Sequence, residues 1–253
     1  MEESASMLVT TELKAEGRVA VIRLDRPKAL NALGGELLDQ LDAALDHVEA
    51  LPDVRVLIIT GTDKVFSVGA DLKEVLPNRD ERIARMHRLA LRLAAFPVPS
   101  IAAIEGWALG GGLELALSCT FRTAAPGARL GLPEIKLGVI PSYGGTQLTP
   151  RLIGTNRALE LLCLGDPIEA ERAEAIGLVN WLANAQGGAL DLALERAAVL
   201  AERHPAAVRA ARQAVGEGLA LPLDAALATE ARVSAALLVG DDAPDASAAF
   251  RAR

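Results

Sequence analysis

The chain is poor in the residues that mark several common functions. It has two cysteines, Cys119 and Cys163, far apart and with no Cys-x-x-Cys pair. Neither a disulfide framework nor a cysteine-based zinc site is expected, and two buried thiols are the simplest reading. Its three histidines, His47, His87 and His204, fall in separate helical segments without metal-ligand spacing, so helix-surface roles are expected. Aromatic residues make up only 3 %, so Leu, Val, Ile and Ala must fill the interior. There is no Gly-x-Ser-x-Gly elbow and no serine–histidine pairing, which counts against a serine hydrolase. No apolar run approaches membrane-spanning length, and the stretch Met1 to Met7 is acidic without an apolar signal core. A cytoplasmic protein is expected. Positive charge is also short: the net charge of −7 argues against general nucleic-acid binding, which needs cations to neutralise phosphates. It leaves room for a small phosphorylated ligand held by a local cation cluster.

What is present is 51 % apolar and 23 % charged, the balance of a globular chain with ample material for a core. Leu8 to Leu24 reads as a hairpin, with Val19-Ala-Val-Ile-Arg-Leu24 as a β-branched strand and Glu16-Gly17 in the turn. Leu37, Leu38, Leu41, Ala44, Leu45 and Val48 recur at helical spacing and predict an amphipathic helix over 36–50. Val54 to Thr60 is almost continuously apolar, as in a strand covered on both faces. The alternation continues through a glycine-bearing loop at 61–70, a helix near 79–95 stopped by Pro97 and Pro99, and a strand at 100–104. A helix from Gly110 to Ser118 and a strand at 121–125 follow. This order predicts an α/β fold with right-handed crossovers around a largely parallel sheet. Beyond Pro141 the chain turns mostly helical, with a short strand candidate at 178–182 and an alanine-rich helix at 223–239. The expected division is a sheet-based core over 1–190 and a helical C-terminal region over 191–253, with Gly187-Gly188 as the linker.

Two glutamates stand out. Glu114 lies in Trp107-Ala-Leu-Gly-Gly-Gly-Leu-Glu114-Leu, and Glu134 in Leu130-Gly-Leu-Pro-Glu134-Ile-Lys-Leu-Gly. A carboxylate in such apolar surroundings must be paired, solvated in a cleft, or used. Gly110-Gly-Gly112 opens a helix whose first-turn N–H groups point outward, with the helix dipole adding positive potential. That suits a phosphate or a developing oxyanion equally well, and close helix–strand packing is the alternative. Phe66-Ser-Val-Gly-Ala-Asp-Leu72 is either a glycine turn or the source of a second N–H, from Ala70. Arg26-Pro-Lys-Ala-Leu-Asn-Ala-Leu33 is a loop with two cations, either a solvated basic turn or part of a binding site.

Together these segments resemble the enoyl-CoA hydratase/isomerase, or crotonase, superfamily. The likeness rests on Arg26–Leu33, Phe66–Leu72, Glu105-Gly-Trp-Ala-Leu-Gly-Gly-Gly-Leu-Glu114, Pro133-Glu-Ile-Lys-Leu-Gly-Val-Ile-Pro141 and Gly144-Gly-Thr-Gln147. Ala175-Ile-Gly-Leu-Val179 and Phe250-Arg near the C-terminus extend it over the whole chain, in order. The resemblance implies a spiral of stacked β-β-α turns and a helical C-terminal trimerisation region, often assembled as a dimer of trimers. It implies an oxyanion hole made by the Ala70 and Gly111 N–H groups. It assigns Glu114 to the attacking water and Glu134 to the proton at Cα, the pattern of a hydratase that adds water to a 2-enoyl-CoA.

By the same resemblance, coenzyme A arrives as part of the substrate and lies along Lys28, Ala29, Leu30 and the loop of Val68, Asp71 and Leu72. Gly110, Pro133, Pro141 and Ser142 line the thioester and acyl region, and Phe250 reaches coenzyme A from a neighbouring subunit, with Arg251 and Arg253 as nearby cations. No other cofactor and no metal is expected. Three positions depart from the family pattern. Val68 replaces the usual alanine, Ser142 a common glycine, and Thr120 an aspartate that serves structure. An isomerase or another acyl-CoA reaction of the superfamily is the nearest alternative, and a non-catalytic or RNA-binding member a more distant one. Acyl length and pathway (fatty acid, amino acid or aromatic degradation) stay open.

Overall fold

The computed structural model describes residues 7–74 and 79–239. Phe250, Arg251 and Arg253 therefore lie outside the described residues. The hairpin forms as expected: β1 (Val9–Lys14) and β2 (Val19–Leu24) pair antiparallel, and Ala15, Glu16 and Gly17 carry the positive φ angles of the turn. After a 3-10 turn at Pro27–Ala29 comes α1 (Gly35–Glu49). Three strand pairs follow in the same rhythm. They are β3 (Val56–Thr60) with β4 (Val65–Ser67), β5 (Ser100–Ile104) with β6 (Trp107–Leu109), and β7 (Phe121–Ala124) with β8 (Arg129–Gly131). The first pair is followed by α2 (Arg79–Ala94), the second by α3 (Gly111–Ser118), and the third by a 3-10 helix at Pro133–Leu137.

The strands of each pair go to different sheets, so the single sheet expected from the alternation is two. The larger has the order β1-β2-β3-β5-β7-β10, where β10 is Trp181–Leu182, and every pairing but the first is parallel. The smaller has the order β4-β6-β8-β9, where β9 is Ile168–Glu169. Its strands hold two or three residues each, too few to show a periodicity in sequence. Corners between the sheets are tight. At Gly106, with φ +59°, a Cβ would lie 1.8 Å from the Lys64 carbonyl oxygen, so only glycine fits.

Both faces of the large sheet are covered, which accounts for its uninterrupted apolar runs. Ala20, Ile22, Leu57, Ile59, Ala102 and Ile104 face the main core with Leu37, Leu41 and Leu45 of α1. The alternate residues, among them Val21, Val56, Ile58 and Ile101, meet Ala193, Ala197 and Ala201 of α7 (Ala189–Ala201). Alanine at every fourth position lets that helix lie close to the sheet. The boundary drawn at residue 190 thus falls at the start of a helix that seals the sheet. The helices α4 (Gly145–Ile153), α5 (Thr155–Leu164) and α6 (Ala170–Ala175) lie between β8 and β10, and α8 (Pro205–Gly218) and α9 (Leu223–Val239) pack on each other at the end. Of the two free cysteines Cys119 is buried, but Cys163 is exposed on α5 rather than buried. Thr120 exchanges bonds with Ser100 in both directions, its N–H to Ser100 Oγ (3.0 Å) and its Oγ1 from Ser100 N–H (3.2 Å), a structural role as expected.

Candidate active site

The site forms where α3 begins. Its first turn, the loop ahead of α4, the loop after β4 and the 3-10 helix carrying Glu134 converge there. Gly110, with φ +50°, is bonded through its N–H to Gly131 O of the neighbouring strand and leads into α3. Gly112 then lies against Ser67, where a Cβ would be 2.2 Å from the carbonyl oxygen. That approach brings the Ala70 loop beside the helix start. A Cβ built on Gly69 would lie 2.7 Å from the Gly111 nitrogen, and one built on Gly111 would lie 3.5 Å from the Ala70 nitrogen. Among the described residues neither the Ala70 nor the Gly111 N–H has a backbone acceptor, while their neighbours do: Leu33 N–H donates to Gly69 O and Glu114 N–H to Gly110 O.

Glu114 is one turn further along α3 and only 1 % exposed. Its Oε1 accepts two main-chain bonds, from Tyr143 N–H and Gly145 N–H, both at 2.7 Å. That grip fixes the carboxyl and leaves Oε2 outside it. The loop making the grip is itself braced by α2, whose His87 Nε2 donates to Ser142 O at 2.8 Å. Glu134 faces the same space: a Cβ on Gly110 would meet its Oε1 at 2.7 Å. Its Oε2 is buried with no hydrogen-bond partner among the described residues. Burial pushes Glu114 up from its ordinary 4.5 to about 7, with the charge of Glu134 adding to the rise and the two amides opposing it. Burial raises Glu134 as well. Two carboxyls that both resist ionising in one pocket retain a proton between them near neutral pH, which equips the pair as acid and base.

The expected site residues fall into two places. Glu114, Glu134, Ala70, Gly110 and Gly111 come together as described, with Pro133 opening the 3-10 helix beneath Glu134 and Pro141 packed near Gly145 beside Glu114. Lys28, Ala29, Leu30, Val68, Asp71 and Leu72 line a cleft of about 700 Å³ on the outer side of the Ala70 loop. Leu30 and Leu72 are exposed there at 52 % and 79 %, apolar side chains that the described residues leave uncovered. Asp71 is a different case. Its carboxylate takes Arg26 Nη1 at 2.6 Å and the Lys73 N–H at 3.0 Å, and the Arg26 bond holds it below its ordinary pKa. It ties the two walls of the cleft together. Arg26, Tyr143 and Gly145 were not singled out by sequence reasoning. Arg26 and Gly145 sit in recognised motifs, but a main-chain N–H that holds Glu114, such as that of Tyr143, leaves no trace in side-chain identity.

The whole chain can be set beside known proteins on this geometry. Residues 14–251 match the model of the enoyl-CoA hydratase/isomerase family. The chain belongs to that family. Among its relatives, a putative enoyl-CoA hydratase/isomerase, YngF of Bacillus subtilis, is 44 % identical over 84 % of this chain and 83 % of its own length. A short-chain-enoyl-CoA hydratase of Clostridium acetobutylicum is 37 % identical over 94 % of this chain and 93 % of its own. The crystal structure of an enoyl-CoA hydratase from Bacillus anthracis superposes with a TM-score of 0.90 at 35 % identity, covering 97 % of this chain and 96 % of that one. The fold is thus the crotonase fold of the enoyl-CoA hydratase/isomerase family. Among the described residues no helix is long and apolar enough to cross a membrane.

Proposed function

We propose that this family member is an enoyl-CoA hydratase that adds water across the 2,3 double bond of a 2-enoyl-CoA thioester. The observation that carries the reading is the buried carboxyl couple, Glu114 and Glu134, beside the two unengaged amides of Ala70 and Gly111. The amides donate to the thioester oxygen. Water attacks Cβ, the π electrons move toward the carbonyl, and negative charge builds on that oxygen. Each such donor is worth on the order of 3 kcal/mol when aimed at developing charge. Glu114, whose Oε1 is held by two N–H groups that favour its ionised form, takes the proton of the attacking water through Oε2. In the reactive form of the couple Glu134 carries the shared proton and delivers it to Cα. The two carboxyls end with their proton exchanged, and transfer through solvent resets them. The cleft beyond the Ala70 loop, with Lys28 and Lys73 on its rim, suits the coenzyme A portion of the substrate, and self-assembly into a trimer or a dimer of trimers completes the reading.

Loss of the enoyl-thioester absorbance with crotonyl-CoA tests it. Glu114→Gln and Glu134→Gln are each expected to lower kcat by about 10²–10⁴-fold, the range of a general acid or base. Undiminished hydration by Glu134→Gln would refute its role. A second reading, double-bond isomerisation, is favoured by the same pair, since one carboxyl can carry a proton between carbons. Migration in a 3-enoyl-CoA much faster than hydration of its 2-enoyl isomer would put the isomerase first.

A further inference from the structure

One cation near the site has no role in the chemistry above. The buried face of α2 is made by Met86, Leu89 and Leu93. Arg82 precedes Met86 by one turn on that face, where an apolar side chain would continue the stripe. The other arginines of α2 that turn toward α1 are fully matched: Arg85 pairs with Asp39 and Asp42, Arg92 with Asp46 and Glu49. Arg82 has no ion pair among the described residues, and its Nε and Nη1 are buried without an acceptor. Leaving guanidinium N–H groups buried and unmatched is costly, and native structures keep such groups where they serve a partner.

The position of that guanidinium relative to the site is fixed by Tyr143. Tyr143 is 5 % exposed, and its ring stands against Gly111, where a Cβ would touch Cδ2 at 2.7 Å. Its main-chain N–H holds Glu114, and its ring face has the Arg82 Cζ 6.0 Å from its centroid. Burial raises the Tyr143 hydroxyl above its ordinary pKa, and the Arg82 charge acts against that rise, so hydroxyl and guanidinium share one pocket. One side chain thus runs from the Gly111 amide, past Glu114, to Arg82. An acyl chain that followed this wall away from the thioester would run toward the guanidinium.

We propose that Arg82, backed by Tyr143, binds a carboxylate at the far end of a short acyl group, so that the preferred substrates are coenzyme A thioesters of unsaturated dicarboxylic acids. The inference rests on the acyl-CoA reading above. A guanidinium whose Nε–H and Nη1–H groups are unspent offers a carboxylate charge-assisted hydrogen bonds, and a site built to hydrogen-bond a polar group discriminates strongly against ligands that lack it.

Calorimetric binding of two unreactive thioesters, glutaryl-CoA and butyryl-CoA, tests the subsite apart from catalysis. Wild type should bind glutaryl-CoA at least about tenfold more tightly. Arg82→Gln should bring the ratio near one, and Arg82→Lys, which keeps the charge but not the planar guanidinium, should fall between. With glutaconyl-CoA against crotonyl-CoA, the ratio of kcat/KM values should drop on the order of 100-fold in Arg82→Gln. Equal binding of the two saturated thioesters by wild type, or a ratio that Arg82→Gln leaves unmoved, overturns the proposal. Discrimination in binding without hydration of either enoyl thioester would keep the subsite and remove the hydratase reading. Binding of neither thioester would remove both. The wild-type ratio needs no variant, so poor folding of Arg82→Gln does not blunt the test.

Discussion

At the scale of single residues, Glu114 carries a stability cost that depends on pH. Its folded pKa of about 7 stands above its ordinary 4.5. Between those values the folded chain holds a proton that the unfolded chain has released, so stability falls as pH rises through this window. The loss is complete above the folded value and amounts to about 3 kcal/mol at roughly 1.4 kcal/mol per unit. Glu114→Gln removes the titrating group while keeping an oxygen for the two amides. Urea unfolding at about pH 5 and about pH 8 should show the variant gaining on wild type by roughly that amount at the higher pH. Parallel stabilities at both values would deny the raised pKa. Glu114 and Glu134 were legible in sequence because a charge among glycines and leucines is expensive. Arg82 was not: it is one of several arginines on a polar-looking helix, and only packing separates the unmatched one from those that meet α1 carboxylates.

At the scale of elements, helices and long strands followed from periodicity, and α1, α2, α3 and the five strands β1, β2, β3, β5 and β7 lie within a residue or two of their expected bounds. The two- and three-residue strands of the small sheet did not, because no repeat fits in so few positions. The fit of α3 against β4 makes its own prediction. Gly112→Ala would force a methyl to 2.2 Å from the Ser67 carbonyl, a backbone atom with no room to move. It should destabilise by about 2–3 kcal/mol and depress activity with it, since the displaced loop carries Ala70. Gly216→Ala is the control, a glycine inside exposed α8 with nothing within 4 Å of an added Cβ. That change should stabilise by about 0.5–1 kcal/mol. Thermal melts of the two variants moving the same way would contradict this packing.

At the scale of the whole molecule, the cost of exposure points outward. Val215, Leu223, Leu227, Leu238 and Val239 on the last two helices, and Leu219 between them, are all more than half exposed. Apolar surface gathered in this way on one region calls for a cover. Light scattering should give three or six times the mass of one chain, and Leu219→Glu should shift the population toward smaller species. A wild-type monomer would remove the assembly from the proposed function. The α/β alternation and the family likeness both held at this scale, but the splitting of each strand pair between two sheets could not be read from local pattern, because it is decided by corners such as Gly106.

The three consecutive glycines at the head of α3 each yield to a different neighbour: Gly110 to the Glu134 carboxyl, Gly111 to the Tyr143 ring, Gly112 to the Ser67 main chain. A methyl at the first would displace the acid, at the second would tilt the wall leading to Arg82, and at the third would lift the opposite loop. Descendants of this chain can therefore redesign what they accept only around this tripeptide, since drift at any one of its positions reaches a separate part of the machinery.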